Sequence, residues 1–168
     1  MFRNCLRTIA VGLPALLVVS GCTTQRGVDR EAAVRTPAVT PLLMFQDGRA
    51  EEAFGFYASV FPGSRVVSMK KFGPGRPCPE GTVELGVMEI AGQRIMCTES
   101  PRVHAFDFTP SISFHVECGS VEELDRAYAA LGTGGEPLMP PDNYGFSARF
   151  AWVKDRFKVS WQLNYAGK

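Results

Sequence analysis

Side chains able to do chemistry are few in this chain. It has two histidines, His104 and His115. His115 stands two residues before Glu117, and on a β-strand that spacing puts both side chains on one face. An imidazole beside a carboxylate is the pair a general base uses, and also a common pair on a solvated sheet face. His104 falls in a loop near Phe106 and Phe108 and reads as a surface histidine. The serines show neither a Ser/His/Asp spacing nor a nucleophile elbow. The five cysteines (Cys5, Cys22, Cys78, Cys97, Cys118) include no CxxC pair. Tyr144, Phe150, Trp152 and Trp161 could stack on a ligand ring, although strand aromatics more commonly fill cores.

The charge balance narrows the classes. Lys plus Arg number 18 against 17 Asp plus Glu, a formal net charge of +1. Nucleic-acid binders carry a strong basic excess, so no nucleic-acid partner is expected. The 45% hydrophobic content of these 168 residues belongs to a folded domain rather than a disordered chain.

The N-terminal residues read as an address. Arg3 and Arg7 form a positive n-region, and Ile9 to Val19 is an apolar run too short to span a bilayer. Val19-Ser20-Gly21-Cys22 then has the form of a bacterial lipobox. The expectation is a signal peptide over 1–21, a lipidated Cys22 with its flexible tether over 22–38, and a folded domain over 39–168. Lipid on Cys22 would make a membrane the partner of the N-terminus. Thr23, rather than Asp, after the cysteine points to the outer membrane facing the periplasm, if the cell is Gram-negative. Cys78, Cys97 and Cys118 then allow at most one disulfide within a chain. Cys97 and Cys118 read as small buried strand residues.

The elements that must position these groups occur twice. A shift of 71 residues superposes Glu51 on Glu122, Glu52 on Glu123, Tyr57 on Tyr128 and Gly63 on Gly134. In the first half, Pro41 to Gln46 reads as a strand and Asp47-Gly48 as a helix start. Ala50, Ala53, Phe54, Tyr57, Val60 and Phe61 make one helical stripe. Strands are expected over Arg65 to Phe72, Thr82 to Ile90 and Gln93 to Thr98. In the second half, Ser111 to Cys118 reads as a strand and Ser120 with Glu123 as a capping box. A stripe of Val121, Leu124, Tyr128 and Leu131 follows, then strands near Glu136 to Met139, Ser147 to Lys154 and Val159 to Tyr165. The fold class is α+β, two paired βαβββ modules over about 39–99 and 108–166, which must pack together to bury their sheets.

Several stretches carry a family resemblance: TPLLMF (Thr40 to Phe45), Phe56-Tyr57 with Val60-Phe61-Pro62, FTPSISFHVEC (Phe108 to Cys118), and YGFSARFAWVKDRF followed by VSWQLN (Tyr144 to Asn164). Over residues 39 to 165 the chain resembles the PhnB-like branch of the vicinal oxygen chelate (glyoxalase/bleomycin-resistance) superfamily. Lys158 departs from the pattern, standing where the family usually has Gly. The resemblance implies sheets that curl around a cleft, and a homodimer. Metal-using members place ligands on the first and last strands of each module, which fall here on Thr40, Ser111, Gln162 and Met96 or Thr98. Divalent metals favour imidazole and carboxylate, so neither a metal nor another cofactor is expected. The methyltransferase label that some relatives carry finds no glycine-rich strand-to-helix turn here.

Strand alternation then lists the cleft wall: Thr40, Met44 and Gln46 from the first strand, Ser111, Ser113, His115 and Glu117 from the fifth, and Ser160 and Gln162 from the last. His115 and Glu117 are the only catalytic candidates. The leading functional expectation is a membrane-anchored protein that binds a small molecule in this cleft. Two others stay open: an enzyme of the lyase, isomerase or dioxygenase type, and a non-catalytic envelope structural or interaction protein.

Overall fold

The computed structural model describes residues 38–167. The expected signal peptide, Cys22 and the tether up to Pro37 lie outside the described residues. Among those described, no helix is long and apolar enough to cross a membrane.

The chain runs β1 (Leu42–Phe45), α1 (Ala50–Val60), β2 (Arg65–Lys71), β3 (Val83–Ile90), β4 (Gln93–Glu99), β5 (Phe114–Glu117), α2 (Val121–Gly132), β6 (Glu136–Asp142), β7 (Arg149–Lys154) and β8 (Ser160–Tyr165). This is βαβββ twice, as the repeat predicts. The strands form two four-stranded sheets ordered β1-β4-β3-β2 and β5-β8-β7-β6. In each, the first strand of the module lies parallel to the last, and the remaining pairs are antiparallel. No strand of one sheet pairs with a strand of the other.

The two helices start differently. In α2 the Ser120 hydroxyl accepts from Glu123 N at 3.2 Å, and the Glu123 carboxylate accepts from Gly119 N at 2.7 Å. That is the predicted capping box, its return bond moved back by one residue. The expected cap at Asp47-Gly48 is not formed in α1. Arg49 holds the cap position with no side-chain bond, and the orphan amides are satisfied from a distance. Glu99, at the end of β4, accepts from Ala50 N at 2.7 Å and Gly48 N at 3.1 Å. A carboxylate at a helix N-terminus also suits the helix dipole.

Two strand boundaries differ from expectation. β5 begins at Phe114 because Ser111 lies in a turn, where Ile112 N donates to Thr109 O at 3.2 Å. β6 runs on through Pro140 and Pro141 to Asp142. It is an edge strand with two register shifts, the position where prolines are tolerated.

Helix α1 buries Ala50, Ala53, Phe54 and Tyr57, and α2 buries Leu124, Ala127 and Leu131. These belong to one core with Phe45, Ile95, Val153, Trp161 and Leu163. The modules are joined through the β7–β8 turn. Asp155 is 2% exposed and accepts four hydrogen bonds. They come from Tyr57 Oη and Trp161 Nε1, both at 2.8 Å, and from Phe157 N at 2.8 Å and Val159 N at 3.0 Å. Burial pushes its pKa up, against the pull of those four donors. Arg49 stacks 4.4 Å over Phe157, and Arg156 stacks 4.1 Å over Phe56. Lys158, the departure from the family pattern, has φ 70° and pairs with Asp107 of the inter-module loop. Cys78, Cys97 and Cys118 are buried free thiols.

Candidate functional site

The helix-free face of the second sheet is a grid of side chains set by register and alternation. One row runs from His115 on β5 to Gln162 on β8, Trp152 on β7 and Met139 on β6. The next row holds Glu117, Asn164, Phe150 and Asp142. On the other side Ser160 pairs with Lys154, and Lys154 with Glu136. Ser113 completes that row through a 2.7 Å hydroxyl contact with Ser160. The intervening residues Phe114, Val116, Trp161, Leu163 and Val153 belong to the core or pack against it.

Hydrogen bonds tie the grid together. Trp152 Nε1 donates to Ser160 Oγ at 2.8 Å, and Gln162 Nε2 lies 3.4 Å from Ser113 Oγ. The His115 imidazole contacts Glu117 at 2.8 Å, and Asn164 Nδ2 donates to the other carboxylate oxygen at 2.7 Å. These two bonds hold the Glu117 carboxyl below the usual carboxylate range, the imidazole contributing most and Asn164 next. His115 and Glu117 are exposed. Beside them, between β5 and the β3–β4 hairpin, lies a cavity of about 280 Å³ with Ile90, Ile95 and Trp161 among its walls. At the far end of the face Tyr144, Phe146 and Phe150 contact one another, with centroids 5.0–6.2 Å apart.

The predicted wall is therefore brought together in part. Ser113, His115, Glu117, Ser160 and Gln162 form one connected surface. Ser111 is an exposed turn residue and does not join it. Thr40 and Met44 belong to the first module, and no hydrogen bond among the described residues links them to this set. Met44 shares its sheet's helix-free face with Leu42, Met96 and Thr98. Gln46 has a different role. Its Nε2 donates to Phe106 O at 2.7 Å, and its Oε1 accepts from His104 N at 2.5 Å. Both ends of that amide are used to hold the inter-module loop. Trp152 lies half-buried on the face, Phe150 is buried there against Tyr144 and Phe146, and Trp161 is core. Phe146 is a further residue at this end of the face, and alternation carried from β8 across to β7 points to the same end of the sheet.

Thr40, Ser111, Gln162 and Met96 or Thr98 supply hydroxyl, amide and thioether donors. That set does not fit a divalent-metal centre, and no cluster of three or more His, Cys, Asp or Glu is found among the described residues.

A family model described as 3-demethylubiquinone-9 3-methyltransferase matches residues 37–164. A PhnB protein from Bacillus cereus, described by the same methyltransferase name, is 42% identical with a TM-score of 0.74. That match covers 77% of this chain and 100% of the Bacillus chain. A Pseudomonas aeruginosa protein is 24% identical with a TM-score of 0.69, covering 79% of this chain and all of that one. The fold also matches FosX, a fosfomycin resistance protein of Listeria monocytogenes whose structure holds Mn(II) and a dihydroxypropylphosphonic acid. There the identity is 16% and the TM-score 0.53, covering 80% and 94% of the two chains. Among curated proteins none matches.

The methyltransferase description implies a methyl-donor cofactor. The two strand-to-helix connections here, Gln46 to Arg49 and Cys118 to Ser120, carry one glycine each. They do not fit the glycine-rich cradle of a dinucleotide-type site. The family is shown by fold and sequence together, without the activity its description names: the chain belongs to the PhnB-like family described as 3-demethylubiquinone-9 3-methyltransferase.

Proposed function

We propose that the protein binds a small molecule on the helix-free face of the second sheet, as a lipid-anchored homodimer of the cell envelope. One observation carries the binding reading. A half-exposed polar network, Trp152–Ser160–Ser113–Gln162 with His115–Glu117–Asn164, is organised on a sheet face flanked by exposed aromatic rings. A merely solvated face has no need of cross-strand hydrogen bonds or of Phe146, which is 66% exposed. Small-molecule relatives within the fold, FosX among them, support the same reading. Leu42, 52% exposed, and the neighbouring Met44 and Met96 give the first module an apolar face that suits a second copy. The lipobox at Cys22 supports the anchor.

Native mass spectrometry of the full chain, extracted in mild detergent without chelator, tests the core of this proposal. The expected species is a dimer carrying an additional organic mass. A bare protein that takes up none of a broad metabolite set overturns the binding role. Cys22→Ser should move the protein out of the membrane fraction. Continued sedimentation with membranes overturns the anchor.

A further inference from the structure

A second cavity, of about 170 Å³, opens at the start of β5. Pro41, Phe108, Ile112, Phe114 and Val159 line it, together with the hydroxyl residues Thr109, Ser113 and Ser160. None of the residues lining it is charged. An apolar cavity of about 150 Å³ is enough to hold benzene. This one therefore has room for a single aromatic ring with a short substituent.

The linked hydroxyls of Ser113 and Ser160 point to the substituent. Trp152 Nε1 can only donate, so Ser160 Oγ accepts there at 2.8 Å. Ser113 Oγ lies 2.7 Å from Ser160 Oγ, a contact in which either hydroxyl can donate. When Ser160 is the donor, Ser113 directs its own hydrogen at Pro110 O, 3.4 Å away. That is long for a hydroxyl, whose bonds cluster near about 2.7–2.8 Å. Gln162 Nε2, at 3.4 Å from Ser113, is held as loosely. In that arrangement the Ser113 hydroxyl, on the cavity wall, has a weakly engaged hydrogen with the Gln162 amide 3.4 Å behind it, and the group they match is an acceptor oxygen with two lone pairs.

We propose that this cavity takes an uncharged aromatic ring whose carbonyl oxygen accepts from the Ser113 hydroxyl, with Gln162 as second donor. This names the ligand class for the face assigned above and rests on that assignment. Charged ligands gain nothing here, because no lining residue neutralises them.

The test uses acetophenone as probe, with ethylbenzene (the same shape without the oxygen) and benzoate (a charged analogue) as controls. The chain has two tryptophans, hence two indole N–H signals in a nitrogen-15 correlation spectrum. Trp152 is one hydroxyl from the cavity, and Trp161, bonded to Asp155, is the internal reference. With the full chain, acetophenone should shift the Trp152 signal saturably and leave Trp161 in place. Ethylbenzene should bind about five- to tenfold more weakly, and benzoate not at all. Ile112→Asp should abolish the shift; Ile112 is 75% exposed, so the fold tolerates the change. Ser113→Ala should narrow the gap between acetophenone and ethylbenzene to about twofold or less, since only the looser Gln162 donor is left.

If Ile112→Asp leaves the acetophenone shift intact, the ring binds elsewhere, and the inference falls while the binding face survives. Equal affinities for acetophenone and ethylbenzene in the unmodified chain remove the carbonyl assignment. Absence of any shift, or one that emerges only when the protein is diluted to monomer, overturns the inference. In both of those last cases an organic mass retained in the native spectrum still upholds the face.

Discussion

Replacing Asp155 by Asn tests the account of how the two modules are joined. The carboxylate gives Oδ2 to Tyr57 and Trp161, and Oδ1 to the amides of Phe157 and Val159. An Asn keeps one of those acceptors. Its oxygen will stay on the two backbone amides, which cannot turn away. The new NH₂ then faces Tyr57 and Trp161. Tyr57 can rotate its hydroxyl and accept, but the Trp161 indole is a donor only and is left unpaired in a fully buried site. An unsatisfied buried donor costs about 1–3 kcal/mol, and exchanging charged for neutral acceptors adds about 1 kcal/mol. Relief from burying the charge offsets part of this, so the net loss is about 1–3 kcal/mol. For a domain of this size that lowers the melting temperature by about 4–12 °C. Tyr57→Phe, which removes one donor and leaves Asp155 satisfied, should cost only about 1 kcal/mol. The double variant should cost less than the sum, since Tyr57 and Asp155 share one bond. The pH dependence has a defined sign. Because burial raises the folded pKa of Asp155, its contribution is complete below the unfolded carboxylate value and is lost as pH rises through the folded one. Thermal melts by circular dichroism across that range should show this slope weakened in Asp155→Asn. A melting temperature within about 2 °C of the unmodified protein at neutral pH would refute the assignment of two donors to one oxygen.

Further expectations follow from other positions. Lys158→Gly should raise the melting temperature by about 2–5 °C, because φ 70° is strained for lysine and its exposed pair with Asp107 gives little back; a lower melting temperature would mean that the pair outweighs the strain. Gly86→Ala should destabilise the domain by about 1–3 kcal/mol in urea titrations, since a Cβ there meets Cys97 Sγ at 2.5 Å. Asn164→Ala should move the Glu117 pKa upward, toward the ordinary carboxylate range, in a carbon-13 titration of the side chain. Since the native carboxyl is depressed, its stabilising contribution is present above the unfolded pKa and is lost as pH falls through the folded one. No movement in Asn164→Ala would leave His115 as the sole cause.

The elements were legible because each rests on a local rule. The α1 stripe from Ala50 to Tyr57 and the Ser120–Glu123 cap are written in spacing, and the repeat carries one module's order over to the other. Alternation placed Ser113, His115 and Glu117 on one face without any knowledge of the sheet. The errors fall where distant residues decide. Asp47 looks like a cap, but Glu99, about fifty residues away, takes the amides. Gln46 has the right parity for the cleft, yet its amide is engaged by a loop that no periodicity describes. Asp155 reads as one more charged turn residue, and only packing reveals that it collects donors from both modules. Tyr57 and Tyr128 are equivalent in the repeat but not in environment: one is fully buried on Asp155, the other only half-buried.

The Asp155 junction also sets a clock on synthesis. Tyr57 must wait for a partner 98 residues downstream. At ribosomal speeds of about 5–20 residues per second, that is an interval of about 5–20 s. Through it the first helix has been made while the turn that completes its packing has not. Phe54, Tyr57 and Phe61 then offer a sticky surface to chaperones, or to the Asp155-to-Trp161 segment of another, more advanced nascent chain. A premature stop before Asp155 would strand the first half in that state for good, and so even a short C-terminal truncation should direct the product to proteolysis.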